Sequence, residues 1–343
     1  MATVTTRARR LRRSNPSGPG HARRRCGKGF MYLDEEGTRI TDAEAVARIT
    51  ALVIPPAWRD VWISPDPFGH IQATGVDQRG RKQYLYHPRW RERRDQEKFD
   101  QMTAFARALP GLRTVVDHDV ALGDMSREQV LACATRLLDR GFFRIGSEQY
   151  AVTNETYGLA TMRKEHVKLD GEVICFDYTA KERKRRVQAI IDPQVADVVA
   201  TLKRRRGGGE ELLAYKRDGR WCDVRSQDIN AYLKAATNID ISAKEFRTWG
   251  ATVLAAVGLA VTKPELLSPT ARKRAIVRAV KEVAFYLGNT PAVARSSYID
   301  PRVFDRYRDG QTIQPAIDLL AADPESTAIQ GPVEEAVLDL LDG

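Results

Sequence analysis

The sequence predicts an α+β protein: a small antiparallel β-sheet domain at the N-terminus, then a larger, mainly α-helical domain with a small three-stranded sheet. Three observations lead there. Short apolar and aromatic runs broken by turn residues fill residues 30–87. The segment VKLDGEVICFDY sets Asp170-Gly171 between two strand-like runs, and a third run follows at about 186–191. Most of the chain after Ser126 carries apolar residues at helical period.

In the first domain the expected strands are FMYLD, TRI, DVWISPDP, HIQATGV and RKQYLYH, with turns at Glu36-Gly37, Phe68-Gly69 and Arg79-Gly80. One helix, 42–52, interrupts them behind a Thr41 cap and stops before Pro55-Pro56. Helix-favouring, charged sequence at 89–109 leads into the second domain. That domain opens with Ser126-Arg127-Glu128-Gln129, a capping-box spacing, and Val130, Leu131, Ala134, Leu137 and Leu138 then keep one face apolar as far as Gly141. After the hairpin come helices at about 194–206, 227–236, 243–257 and 271–287, with a strand pair, LLAYK and RWCDV, around Asp218-Gly219. Gly288 then stops one helix, Thr290 caps another, and Pro291 sits in a first turn, where the missing N–H costs nothing. Tyr298 is expected on about the second turn of that new helix.

Lys and Arg number 55 against 45 Asp and Glu, a net charge of +10 that favours a polyanionic partner. The excess is uneven. Residues 1–28 hold nine Arg and Lys among Ser, Pro and Gly with no acid, and read as a disordered basic arm attracted to phosphate. Residues 311–343 hold seven acids and no Lys or Arg, and read as an acidic C-terminal tail that stays off nucleic acid. The expected domains are therefore 29–105, a β-rich domain, and 106–310. No run of about 18 apolar residues is present and the first segment lacks a signal-peptide core, so a cytoplasmic protein is expected, away from membranes. Cys26, Cys133, Cys175 and Cys222 form no CxxC pair, and reduced thiols with no structural metal are expected.

His21, His70, His87, His118 and His166 all lie in the first half, no GxxxxGK[ST] loop exists, and no acid cluster suggests a metal. Hydrolase and ATPase readings lose weight together. What remains is a set of cations and one phenol at structural punctuation. Arg144 lies in GFFRIGS just past the stop at Gly141, and Lys181 in the hairpin turn TAKERKRR. Arg247 stands in the first turns of a helix behind Ser242-Ala243-Lys244-Glu245, where the helix N-terminus favours an anion. Taken singly, each is compatible with an ordinary surface charge.

Taken in order they form a pattern. Arg144, Lys181, Lys244 with Arg247, Asn289 and Tyr298, together with IQATGVDQRGRKQYLYHPRW and RIGSEQYAVTNETYGLATMRKEHV, resemble the type IB DNA topoisomerases of the small bacterial and poxvirus-like group over residues 31–308. The resemblance implies that family's catalytic fold, shared with the tyrosine recombinases. It implies Tyr298 as nucleophile, Arg144 and Arg247 on the non-bridging oxygens, Asn289 as a neutral donor in the place where viral and eukaryotic members carry His, and Lys181 as general acid. Gln83, Tyr84 and Tyr86 would contact bases and sugars, Arg81 and Lys82 phosphate, and Tyr150 and Lys244 further DNA. The implied protein is a nucleoid-associated monomer clamping double-stranded DNA, with no cofactor, ATP or metal. One departure is that Ala180 precedes Lys181 where many relatives have Gly, and Lys184 lies in the same turn, so the acid could be either lysine. A tyrosine recombinase is disfavoured by Lys244-x-x-Arg247 and Asn289; a nucleoid-type DNA-binding protein would form no covalent adduct.

Overall fold

The computed structural model describes residues 9–264, 267–322 and 330–343. The chain divides into two compact units, residues 1–98 and 99–343.

The first unit is built on a five-stranded antiparallel sheet. Its strands are β1 (His21–Cys26), β2 (Gly29–Leu33), β3 (Arg59–Ile63), β4 (Ile71–Val76) and β5 (Lys82–Tyr86), in the order β2-β1-β3-β4-β5. Helix α1 (Ala43–Ala51) starts behind Asp42, whose carboxylate accepts the Ala45 N–H at 2.7 Å, so the cap is one residue beyond the expected Thr41. Its Ile49 is buried with Ile54, Val61, Ile63 and Ala73. The run TRI forms no strand, only a bridge between Leu33 and Arg39.

The expected disordered arm is corrected by β1, an inner strand paired with β2 on one side, Arg25 opposite Phe30, and with β3 on the other, Ala22 opposite Trp62. Arginine is tolerated there because Arg23 spends its guanidinium on carbonyls of Ile54, Pro55 and Trp58, each at 2.9 Å, and lies 4.1 Å from the Phe30 ring. Further upstream, Arg12 pairs with the β3–β4 turn, its N–H donating to Phe68 O and its carbonyl accepting the His70 N–H, each at 2.9 Å, and Ser14 N–H donates to His70 Nδ1. Residues 1–8 of the expected arm lie outside the described residues.

The boundary at residue 98 falls inside helix α2 (Pro88–Val120), upstream of the expected 105. The helix continues past the expected 109 despite Pro110, because Leu112, Val116 and Val120 keep a buried stripe at spacing four. In the second unit α3 (Arg127–Gly141) is central: every residue from Gln129 to Leu138 is buried. Ser126 Oγ accepts the Gln129 N–H at 3.3 Å, as the capping-box spacing predicts. Around α3 follow α4 (Glu148–Asn154), the antiparallel sheet of β6 (Val167–Asp170), β7 (Val173–Ala180) and β8 (Lys184–Ile191), α5 (Pro193–Arg204), the hairpin β9 (Ala214–Arg217) and β10 (Arg220–Asp223), and α6 (Ser226–Thr237). Then come α7 (Lys244–Ala260), α8 (Pro269–Leu287), α9 (Pro291–Ser297), α10 (Pro301–Arg308), α11 (Gln314–Ala322) and α12 (Pro332–Asp342). The fold class matches the expectation.

The acidic tail is not separate from this unit. In α12 Val333, Val337 and Leu341 recur every fourth residue and are buried. Glu334 accepts from Arg113 at 2.6 and 3.0 Å and from Trp249 Nε1 at 3.0 Å, while Asp139 holds the other side of Arg113. Burial alone would raise the Glu334 carboxyl, but the Arg113 hydrogen bonds and charge outweigh it and hold it below the usual carboxylate range.

Candidate active site

The site is organised by the C-terminal end of α8. Ser268 Oγ caps its start, accepting the Ala271 N–H at 3.2 Å, and Gly288 ends it in the left-handed region, φ 63°. Thr290 Oγ1 accepts the Val293 N–H at 3.3 Å and Pro291 opens α9, as expected. Tyr298 lies not on the second turn but at the C-cap of α9, its N–H donating to Ala294 O at 3.1 Å, because Asp300-Pro301 already starts α10. The next two residues, Ile299 and Asp300, are fully buried, and Thr252 Oγ1 accepts the Asp300 N–H at 3.1 Å and donates to Tyr298 O at 3.4 Å.

The last carbonyls of a helix have no partner within it and form the negative end of its dipole. Three arginines from three different elements take them here. Arg186 of β8 donates to Phe285 O at 3.1 Å and Tyr286 O at 2.6 Å; Arg144 donates to Leu287 O at 3.3 Å, and Arg247 of α7 to the same oxygen at 2.9 Å. Arg144 also donates to Asn289 Oδ1, and Arg247 to Phe142 O. A helix C-terminus thus holds together cations that would otherwise repel.

Each of these side chains is positioned by its own segment. The Arg144 loop leaves α3 through Phe142, left-handed at φ 50°, and its carbonyl accepts the Leu159 N–H at 2.8 Å. That pairing requires glycine: a Cβ on Gly158 would lie 2.4 Å from Gly146 Cα. Phe143, buried, packs edge-on to Phe176 with centroids 4.8 Å apart and anchors the loop. Ahead of α7, Ser242 N–H and Oγ donate to Glu245 at 3.0 and 2.8 Å, the reciprocal half of the expected capping box. Buried Phe246 and Trp249 hold that first turn, and Arg247 is 3% exposed.

Burial, then the charge of Arg144, lower the Arg247 guanidinium to about 10, with Tyr298 opposing, so it stays cationic through the neutral range. Its Cζ lies 5.3 Å from the Tyr298 ring centroid. Burial of Tyr298 acts to raise its hydroxyl, but Arg247 first and Arg144 second, with polarisation by Asn289, carry it below the ordinary tyrosine value. Asn289 Nδ2 and Arg247 Nε are buried donors with no formed hydrogen bond among the described residues. Two guanidiniums, one with its Nε unanswered, and the free Asn289 amide beside an acidified phenol make a site suited to an anion.

Lys181 is exposed at the tip between β7 and β8, where Ala180 faces Lys184 in the register. Glu182 and Arg183 both take positive φ, 66° and 57°. Lys184 Nζ is 3.0 Å from Glu182 Oε2, and Arg183 reaches Glu155 at 3.4 Å. Lys181 has no hydrogen bond or ion pair among the described residues. The Glu182 carboxyl is held low by Lys184 above all, and also by Lys181 and Arg144, which brings the turn into the field of the cluster.

The arrangement has counterparts in known proteins. The family model for the eukaryotic DNA topoisomerase I catalytic core matches residues 87–315, and that for the bacterial DNA topoisomerase IB N-terminal domain matches residues 29–77. The chain belongs to the type IB DNA topoisomerases. It is 29% identical over 298 residues to the DNA topoisomerase 1B of Acanthamoeba polyphaga mimivirus, covering 84% of this chain and 88% of that one. Against the DNA topoisomerase 1B of Vaccinia virus (strain Copenhagen) it is 17% identical over 236 residues, 69% and 72% of the two chains. A Daucus carota DNA topoisomerase 1 is 25% identical over 160 residues, 46% of this chain and 19% of the other. The topoisomerase is accordingly an isomerase.

The structure brings Arg144, Arg247, Asn289 and Tyr298 of this topoisomerase together and leaves Tyr150 and Lys244, both exposed, out of the cluster. In the first unit Tyr84 and Tyr86 share a face, as alternation predicts, and stack with centroids 6.1 Å apart, while the Lys82 ammonium lies 5.9 Å from the Tyr84 ring. Arg81 and Gln83 both donate to Asp77, at 2.8 and 2.9 Å. Sequence reasoning missed Arg186, which carries no local signal because its acceptors lie about a hundred residues away. Among the described residues no three His, Cys, Asp or Glu side chains group as a metal site, and no helix is long and apolar enough to cross a membrane.

Proposed function

We propose that this topoisomerase relaxes supercoiled double-stranded DNA by cutting one strand at a time through a 3′-phosphotyrosyl intermediate at Tyr298, letting the free end rotate, and resealing it. The observation that carries the reading is the convergence of Arg144, Arg247 and Asn289 on a half-buried tyrosine whose hydroxyl is acidified. The Tyr298 oxygen attacks phosphorus and passes its proton to solvent water, the two guanidiniums take the charge on the non-bridging oxygens, and Asn289 adds a neutral donor from Nδ2. The bond to the 5′-oxygen breaks as Lys181 protonates it. Religation runs the steps in reverse. The phosphotyrosyl bond keeps the energy of the phosphodiester, so the cycle calls for no ATP, and the guanidiniums supply the neutralisation a metal would otherwise give. Tyr84, Tyr86 and Lys82 would contact the duplex from the first unit, and the enzyme would act as a monomer on nucleoid DNA.

The test is relaxation of supercoiled plasmid in EDTA without ATP, with denaturing gels to detect covalent capture. Activity with a 3′-linked adduct is expected from the wild type. Tyr298→Phe should lose the adduct and keep non-covalent binding, since the cations remain. An adduct on the Tyr298→Phe protein, or no relaxation by the wild type, would sink the reading.

A further inference from the structure

The outer face of α8 is not used by the fold. Arg274, Arg278, Lys281 and Phe285 are all exposed, and at 100° per residue they fall within about 60° of one another on the helix. The three cations make no hydrogen bond or ion pair among the described residues. Their neighbour Arg272 shows the contrast, since its guanidinium is tied to Pro264 O at 2.9 Å and Arg308 O at 2.6 Å. Glu282, on the flank of the face, turns its carboxylate toward Gly258 of α7.

The stripe runs into an aromatic ledge. Phe285 is 79% and Tyr286 50% exposed, with their rings edge-on at 5.8 Å, and Tyr286 leans on Phe142 at 6.3 Å. Arg186 draws the carbonyls of both residues inward, which fixes the backbone from which the rings project. Leaving that much aromatic surface in water forgoes the stabilisation of burial, and an exposed apolar patch rimmed by cations marks an interaction surface. It is continuous with the active site: the next carbonyl, of Leu287, is the one held by Arg144 and Arg247.

We propose that this face is a second DNA contact of the enzyme, in which Arg274, Arg278 and Lys281 track phosphates and the Phe285–Tyr286 ledge packs on a base or sugar face beside the reacting phosphate. It rests on the DNA-cleavage reading above. The charge selects a polyanion, and the aromatic end at the catalytic cluster selects one with flat apolar faces near its phosphates.

Equilibrium binding of the full chain to a short duplex across a salt series separates the two halves of the surface. Replacing Arg274, Arg278 and Lys281 by Ala should weaken binding and flatten the slope of log affinity against log salt by up to about 0.9 for each cation. Replacing Phe285 and Tyr286 by Ala should weaken binding at least about five-fold, the low end of stacking energies, and leave the slope unchanged. A 2-aminopurine beside a single 5′-bridging phosphorothiolate, which traps the adduct at that step, should be quenched by the wild type and not by the aromatic variant. All substituted positions are exposed, and thermal melting of each variant should match the wild type. Wild-type affinity and slope in both variants would overturn the proposal while leaving the cleavage reading intact. So would an aromatic variant that lowers the melting temperature without changing DNA affinity. A wild type that forms no adduct yet shows these binding changes would sink the cleavage reading alone.

Discussion

Whether Lys181 or Lys184 serves as the proposed general acid can be decided by substituting both. Lys184 is committed to Glu182 at 3.0 Å, and with 50% and 62% of the two side chains exposed the pair contributes about 0.2–1 kcal/mol. Lys184→Ala should therefore change cleavage by no more than about five-fold, whatever it does to the turn. Lys181 has no partner to lose among the described residues, so its removal should leave the fold alone and act on the proposed chemistry. A positioned general acid contributes roughly 10²–10⁴ in rate, and Lys181→Ala should slow single-turnover cleavage by that factor. The decisive measurement repeats the assay on a duplex whose bridging 5′-oxygen is sulfur. A thiol near pKa 8.5 leaves without a proton, so Lys181→Ala should recover to within about ten-fold of the wild type on that substrate. Arg144→Ala should not recover, because its proposed role is on the non-bridging oxygens. Rescue of Lys184→Ala with none for Lys181→Ala would refute the reasoning and move the role three residues along.

Three further outcomes follow from contacts described above. Asn289→Ala removes an acceptor of Arg144 and a buried unpartnered donor, and should slow cleavage about 10²-fold with binding kept, while Asn289→His is better tolerated; unchanged single-turnover rates would reduce Asn289 to a loop residue. Deleting residues 1–28 removes an inner strand, so the first unit should become protease-sensitive and relaxation should fall; a truncated chain as resistant as the full one would contradict the pairing of β1. Glu334→Gln should cost about 1–3 kcal/mol near pH 7. Because the folded Glu334 pKa is depressed, its contribution is full above the unfolded value of about 4.3 and is lost as pH falls through the folded value, so melting temperatures of wild type and variant should converge in acid. A constant gap down to low pH would exclude the Arg113 pairing as the cause.

Features set by neighbouring residues could be read directly. Ser126, Ser268, Thr290 and the Gly288 stop are local chemistry, and the helices they bound stand within a few residues of expectation. Arg144, Arg247, Asn289 and Tyr298 were legible as an ordered set, because type and order survive without knowing distances. What brings them together was not: one helix end whose carbonyls accept from three elements is a property of the folded chain, and Arg186 belongs to it without any motif. The two terminal segments misled for one reason, that charge count hid pairing. In HARRRC the ladder and the carbonyls around Arg23 satisfy what looks like a solvated run, and in α12 the apolar stripe Val333, Val337 and Leu341 is interleaved with acids.

The strand order β2-β1-β3-β4-β5 bears on how the enzyme is made. All five strands lie before residue 87, and each neighbouring pair except β1–β3 is consecutive along the chain. The first unit can therefore close its sheet while synthesis is still in progress. Tyr298 emerges roughly 200 residues later, a lag on the order of 10–40 s at ordinary elongation rates. On the proposed roles, the unit carrying Tyr84 and Tyr86 is thus complete before the nucleophile exists, and a nascent chain holds DNA before it is able to cut it.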